Sequence, residues 1–388
     1  MYLYTKDTRS IIISVMALSG IGVLMVYSST ALMSMREFGG SFHYLFKHFF
    51  TVIAGMTTMA VLANTDYQRI RPMIYILLGV SLLLLILVFL PGIGVTANGA
   101  RRWLRLWPTT FQPSELVKIV VVIFLADYMD KNINRMKDFR YGILIPAGVT
   151  IGFQSIIIVQ PDFGAVMSLG ILTLVLLVLG GARLKHIGML ILISMPAIYV
   201  LITSSAYRMK RIMSFVDPFK DPFDSGFQLV QSLIAFGSGS FFGVGLGGSK
   251  QKLHFLPEVH TDFIFSLIGE ELGLFGVISV LGLFLWLFIQ GIRVSRRTCD
   301  PFSYFLTMGL TMMIGIQAII NIAVTTGLMP TKGLPLPFIS YGGSALLINM
   351  AAVGILINIS IKNKKKISES AGHMNGLLDR SSLVRRRR

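Results

Sequence analysis

The chain has 388 residues, of which 54% are hydrophobic and only 14% charged, with a mean hydropathy of +0.72. That is more apolar surface than a soluble fold of this length can bury, so a water-soluble globular domain is excluded and a polytopic membrane protein is indicated. The net charge of +17 raises nucleic acid as a partner, but much of it lies in short loops and in the tail KNKKK…RRRR, where membrane topology and anionic lipid explain it more cheaply.

Apolar runs long enough to cross a hydrocarbon core of roughly 30 Å occur ten times. They lie near 11–29, 46–64, 73–91, 114–129, 142–160, 164–181, 186–203, 264–292, 303–328 and 339–361. The expected fold is therefore an all-α polytopic membrane protein of about ten transmembrane helices. A single transmembrane domain covers residues 1–361 and a basic tail, 362–388, is expected to be disordered. The first run follows the charged leader MYLYTKDTRS without a cleavage signature, so it reads as a retained span. With both termini in the cytoplasm, the inside segments carry 22 of the 35 Lys and Arg residues, as the positive-inside rule requires. The single Cys299 falls in an inside loop and excludes both an intrachain disulfide and a multi-cysteine metal site.

Spans 1 to 3 carry little chemistry. After them comes an outside loop, PGIGVTANGARRWLRLWPTTFQPSELVK, in which Trp103 and Trp107 stand four apart. As a helix, ARRWLRLW would lie at the interface with its basic residues toward head groups, and the tryptophans alone read as belt anchors. Arg101, Arg102 and Arg105 run against the charge bias and are candidate ligands for an anionic group. Span 4 opens on Pro113, with Ser114, Glu115 and Lys118 in its first turns. Glu115 and Lys118 share a helix face, so they read either as a mutual ion pair or as a phosphate-binding lysine held by its neighbour. Between spans 5 and 6, QPDFG makes a tight hairpin whose Asp162 reads as the cap of span 6.

The longest connection is extracytoplasmic, residues 204–263 between helices 7 and 8. Loops of this size in a compact protein are functional or disordered, and its apolar pieces argue against disorder. Gln228 and Gln231 sit in an expected amphipathic or re-entrant helix, and the glycines at 237, 239, 243, 245, 247 and 248 follow it. This loop ends in LPEVHTDF, placing Glu258, His260, Thr261 and Asp262 at the mouth of span 8. Thr261-Asp262 also reads as a helix N-cap. Within span 8, Glu270 and Glu271 are ionisable groups in an apolar run, which are costly and mark function. Span 9 leads into TTGLMPTKGLPLPFISYGGS, which cannot be regular helix; Lys332 and Ser340 are its polar side chains of interest.

These features gather in the loops after spans 3, 5, 7 and 9. Cations, a few carboxylates and glycine-rich backbone beside lipid suit a substrate with an anionic head and a long apolar tail, such as a polyprenyl diphosphate sugar. Glycosyl transfer to a sugar hydroxyl needs a carboxylate to take the proton and positive charge on the departing diphosphate. Asp262 is the candidate base, and Lys118, Arg101, Arg102 and Lys332 are the candidate cations. No ligand cluster is specific enough to predict a metal, although a divalent cation could share the work through Glu258 or the diphosphate itself.

The runs QPSELVK, QPDFG, GLGGSKQKLHFLPEVHTDFIFSLIGEELG and GLMPTKGLPLPFISYGGS resemble the signature segments of the SEDS family (shape, elongation, division and sporulation) from the first span to the last. Thr331 to Gly333, read TKG, resembles its division branch (FtsW and the sporulation relative SpoVE) more than its elongation branch (RodA). The resemblance implies a bacterial inner-membrane peptidoglycan glycosyltransferase that polymerises lipid II at the septum. It implies a class B penicillin-binding protein and divisome regulators as partners, with Asp262 as the essential carboxylate. Two rivals from other classes are a lipid II flippase and a non-catalytic scaffold for the transpeptidase. Against the flippase, polar groups concentrate on one face and no inverted repeat is visible.

Overall fold

The computed structural model describes residues 6–97, 99–106, 109–224, 226–251 and 259–385. Each of the ten expected spans is a helix. They are α1 (Lys6–Phe38), α2 (His43–Asn64), α3 (Ile74–Leu87), α4 (Pro113–Lys131), α5 (Ile145–Val159), α6 (Phe163–Leu179), α7 (Leu184–Thr203), α10 (Ile264–Arg296), α11 (Pro301–Thr325) and α12 (Gly343–Arg385). Among the described residues, eight helices are long and apolar enough to cross a bilayer by length and composition, with Phe163–Leu179 a shorter apolar one. Pro113–Lys131 is apolar in its middle and keeps its five charged residues near its two ends. Hydroxyls inside the helices spend themselves on the preceding turn, as Thr30 does on the Val26 carbonyl and Thr307 on that of Ser303, so lipid meets few unpaired polar groups.

The middle of the bundle is α4, α11 and α12. Every residue of α4 from Val117 to Asp127 is buried, and α11 packs along it while α12 packs on α2. By contrast α7 buries only Ile187 and exposes Leu184, Leu192, Ile193 and Tyr199 by 64–70%, the pattern of a helix that faces lipid. Ion pairs gather at one end of the bundle: Asp7 with Arg297, Asp66 with Lys362, and Arg71 with Asp127 at 2.7 Å and Asp130 at 2.5 Å. These are the segments that the charge bias places together on the inside.

The structure corrects two expectations. The piece ARRWLRLW is not a helix: Ala100–Leu106 is β2, the middle strand of an antiparallel sheet with β1 (Gly94–Ala97) and β3 (Thr109–Phe111). Thr96 faces Arg101 and Thr110 faces Arg105. Asn-Gly at 98–99 is a hairpin signal, and β1 and β3 bring Val95, Thr96, Thr109 and Thr110 to the pairing, which overrides the helical spacing of the tryptophans. The fold is thus helical with one small sheet. Second, α10 starts one residue later than a Thr261-Asp262 cap requires: its N-cap position is Phe263, without a side-chain cap. Beyond its span, α12 runs on to Arg385.

The long connection folds into two helices, α8 (Ala206–Val216) and α9 (Phe227–Gly239), the second where the amphipathic helix is expected. α10 itself is two half-helices, because Gly273 has φ 65° and ψ −161°. Only glycine takes that conformation without strain.

Candidate active site

The site forms where the turn before α10 meets the loop between α11 and α12. Asn321, on the last turns of α11, donates to the carbonyls of Asp262 at 2.8 Å and Leu334 at 2.7 Å, tying the two segments together. One turn earlier Gln317 donates to the Pro335 carbonyl at 2.9 Å. The Ser340 hydroxyl accepts from Leu336 N at 2.8 Å and donates to the Thr261 carbonyl at 2.5 Å, and Tyr341 N donates to the His260 carbonyl at 2.9 Å. Ser340 therefore holds the backbone on either side of it. The result fixes His260, Thr261 and Asp262 as a partly exposed ledge on the rim of the 331–341 loop. Gly333 comes so close that an added Cβ would lie 2.6 Å from Asp262 Oδ2.

Cationic groups come from this loop, from α8 and from β2. Lys332 adjoins that glycine, and its Nζ lies 4.9 Å from the centroid of the Phe163 ring. Burial, reinforced by the nearby charge of Arg211, pulls the Lys332 ammonium down to about 8. Arg211, from α8, donates to the Thr331 carbonyl at 2.8 Å. Arg102 on β2 donates to the carbonyls of Gln160 at 3.2 Å and Pro161 at 2.5 Å, with Asp162 Oδ1 at 3.9 Å. Arg101 is exposed beside Thr96, its Nε 3.2 Å from the hydroxyl. Asp162 caps α6 as expected, accepting from Ala165 N at 3.1 Å, while Gln112 and Ser114 donate to its other oxygen at 2.9 and 3.5 Å.

Lys118 and Glu115 lie deeper. Their ion pair is 2.8 Å long, each side chain is 3% exposed, and Lys118 Nζ also donates to Gln317 Oε1 at 2.8 Å. The ion-pair reading describes this geometry, and through Gln317 the pair supports the Pro335 carbonyl of the rim. Glu258 lies outside the described residues. Among the described residues no group of three or more His, Cys, Asp or Glu could hold a metal ion.

Comparison with known proteins bears on this arrangement. A family profile described as "Cell cycle protein", covering FtsW, RodA and SpoVE, matches residues 8–365. The chain belongs to the FtsW/RodA/SpoVE family. It is 44% identical to the probable peptidoglycan glycosyltransferase FtsW of Geobacter sulfurreducens, over 91% of this chain and 95% of that one. It is 39% identical to stage V sporulation protein E of Bacillus subtilis, over 92% of this chain and 97% of that one. Among solved structures it is similar to a chain of a peptidoglycan synthase complex that coordinates polymerisation and crosslinking, at TM-score 0.76 and 27% identity, covering 94% and 99% of the two chains. It is also similar to RodA of Thermus thermophilus, at TM-score 0.67 and 25% identity, covering 90% and 95%.

In this family member the loops after spans 3, 5, 7 and 9 meet as expected, through Arg102 and Gln112 on Asp162, Lys332 on Phe163 and Arg211 on Thr331. Residues not singled out in the sequence complete the rim. Gln317 and Asn321 are an i, i+4 polar pair in an apolar helix, a signal that polar residues within spans always deserve. Tyr44 and Tyr341 form a ring cluster with His260, at centroid distances of 5.7–6.4 Å, which no local pattern announces because Tyr44 comes from α2. Burial pushes the Tyr341 phenol up to about 12, so it remains neutral.

The Gly333 contact yields a direct expectation. Gly333→Ala pushes the Asp262 carboxylate aside, and with Asp262 as the candidate base a displacement of that order should cost roughly tenfold to a hundredfold in turnover. Gly333 is exposed, so the detergent melting temperature should stay close to wild type. Turnover and melting measured on the same preparation check both halves.

Proposed function

We propose that this chain is a peptidoglycan glycosyltransferase that polymerises lipid II in the bacterial inner membrane at the septum. Both termini are cytoplasmic and the site is extracytoplasmic, where flipped substrate arrives. Asp262 takes the proton from the 4-hydroxyl of the acceptor N-acetylglucosamine. That oxygen attacks the anomeric carbon of the donor N-acetylmuramic acid with inversion, and undecaprenyl diphosphate departs. Lys332, with Arg211, Arg101 and Arg102, provides charge for the leaving diphosphate, while Lys118, Glu115, Ser114 and Ser340 hold the rim in shape. His260 and the Tyr44–Tyr341 cluster border the ledge. A class B penicillin-binding protein crosslinks the product, and divisome regulators act on the pair.

The observation that carries this reading is the close approach of Gly333 to Asp262 Oδ2, which sets a partly exposed carboxylate against the TKG loop at the end of the bundle away from the clustered ion pairs. The deciding experiment is lipid II polymerisation by the purified chain with its cognate transpeptidase, wild type against Asp262→Asn. Glycan formed in detergent also separates polymerisation from flipping, since no sidedness exists there.

A pH prediction follows from Lys332. In the folded protein it loses its proton near pH 8, whereas an unfolded lysine keeps it to about 10.4. Between those values the unfolded state binds more protons, so this group makes the fold more stable as pH rises, and the penalty of burying its charge returns in full below about 8. Activity runs the other way, because the diphosphate seat needs the ammonium. Polymerisation should decline through about pH 8, and Lys332→Arg, charged throughout, should extend the alkaline limb. Identical pH profiles for the two proteins would remove Lys332 from the seat.

A further inference from the structure

Glu270 and Glu271 take no part in the chemistry above, yet both are fully buried in a membrane helix, where an ionisable side chain is costly. Their oxygens face different partners. Glu271 accepts from the Ser28 hydroxyl on α1 at 2.6 and 2.7 Å. Glu270 accepts from Lys250 N at 2.9 Å with one oxygen and from the Ser249 hydroxyl with the other, and Ser249 is itself 2% exposed.

The break at Gly273 explains why such bonds are needed. It frees the carbonyls of the first half-helix, and the glycine-rich segment is built into the gap: Val244 N donates to the Glu270 carbonyl at 2.9 Å, Gly245 N to that of Glu271 at 3.1 Å, and Leu274 N to Ser240 O at 2.9 Å. The approach leaves no room for side chains, since a Cβ at Gly243 would lie 2.2 Å from the Glu271 carbonyl oxygen. Asp262 therefore precedes a short half-helix that ends at the break and is not steered by the rest of α10. That half-helix is packed on α9, where Phe236 meets Phe265 and Gly239 closes on Gly269, and is further held by the rim at its start, by α1 through Glu271, and by the segment strapped to it by Glu270.

We propose that Glu270 is a positioning residue for Asp262, clamping the 249–250 segment to the half-helix that follows the catalytic carboxylate. This rests on the glycosyltransferase reading with Asp262 as base. Loss of the clamp lets the half-helix and the chain entering it shift together, which moves the base relative to the acceptor hydroxyl without altering the diphosphate seat.

The test is steady-state lipid II polymerisation by the full chain with its cognate transpeptidase, resolved into kcat and KM. Glu270→Ala removes both acceptors and should lower kcat roughly a hundredfold while KM moves by less than about threefold. Glu270→Gln keeps an acceptor for Lys250 N and a donor that the Ser249 hydroxyl can receive, so kcat should return to within about fivefold of wild type. Should Glu270→Ala fail to fold, Ser249→Ala deletes a single bond of the clamp and should lower kcat about tenfold at unchanged KM. Wild-type kcat in Glu270→Ala, equal damage from Ala and Gln, or a loss confined to KM overturns the proposal. Asp262→Asn run alongside separates the two claims: an active Asp262→Asn sinks the base itself, whereas an inactive one beside an active Glu270→Ala sinks only the clamp.

Discussion

Asp262→Asn should reduce lipid II polymerisation by about 10²–10⁴-fold, the range that a positioned general base contributes. Asparagine keeps the shape of the side chain, and the backbone around residue 262 stays held: Asn321 donates to its carbonyl, and Ser340 and Tyr341 bond the neighbouring Thr261 and His260 carbonyls. The variant should therefore insert, melt and bind lipid II as wild type does, with the deficit confined to kcat. Gel separation of glycan strands together with a lipid II binding assay reads both quantities. Normal strand formation by Asp262→Asn would falsify the assignment outright. A loss of binding in place of turnover would make Asp262 a substrate ligand and leave the base to be found elsewhere.

The bundle was legible because a bilayer gives backbone polar groups no water, so each crossing must be a long apolar helix and shows as one. Asp162 as a cap and Pro113 as a first-turn residue depend only on near neighbours, and both read correctly. Residues 100–106 did not, since the strand depends on pairing with Gly94–Ala97 and Thr109–Phe111, which helical spacing of two tryptophans cannot register. The same limit applies to the site. The carboxylate and the TKG loop stand in recognisable motifs, but the approach of Gly333 to Asp262 depends on Asn321 drawing the two segments together from α11. Nothing local distinguishes Lys118, satisfied in the interior, from Lys332, half-buried at the rim; burial and partners make the difference, and both arise from packing between distant helices.

That difference gives the second large effect. Lys118→Met leaves Glu115 buried without its counterion, and breaking a buried pair on one side costs about 3–5 kcal/mol, because an uncompensated charge is far worse than none. The variant should melt well below wild type in detergent. Glu115→Gln combined with Lys118→Met removes both charges and should recover most of that stability, as replacing a whole buried pair with neutral groups usually does. Activity then discriminates between two roles for the lysine. If Lys118 acts only as the counterion of Glu115, Gln317 keeps its own bond to the Pro335 carbonyl in the double variant and a good part of the turnover returns with the fold. If the ammonium itself meets the diphosphate, the double variant will be stable and inactive, and the seat must extend from the rim at Lys332 down to the centre of the bundle.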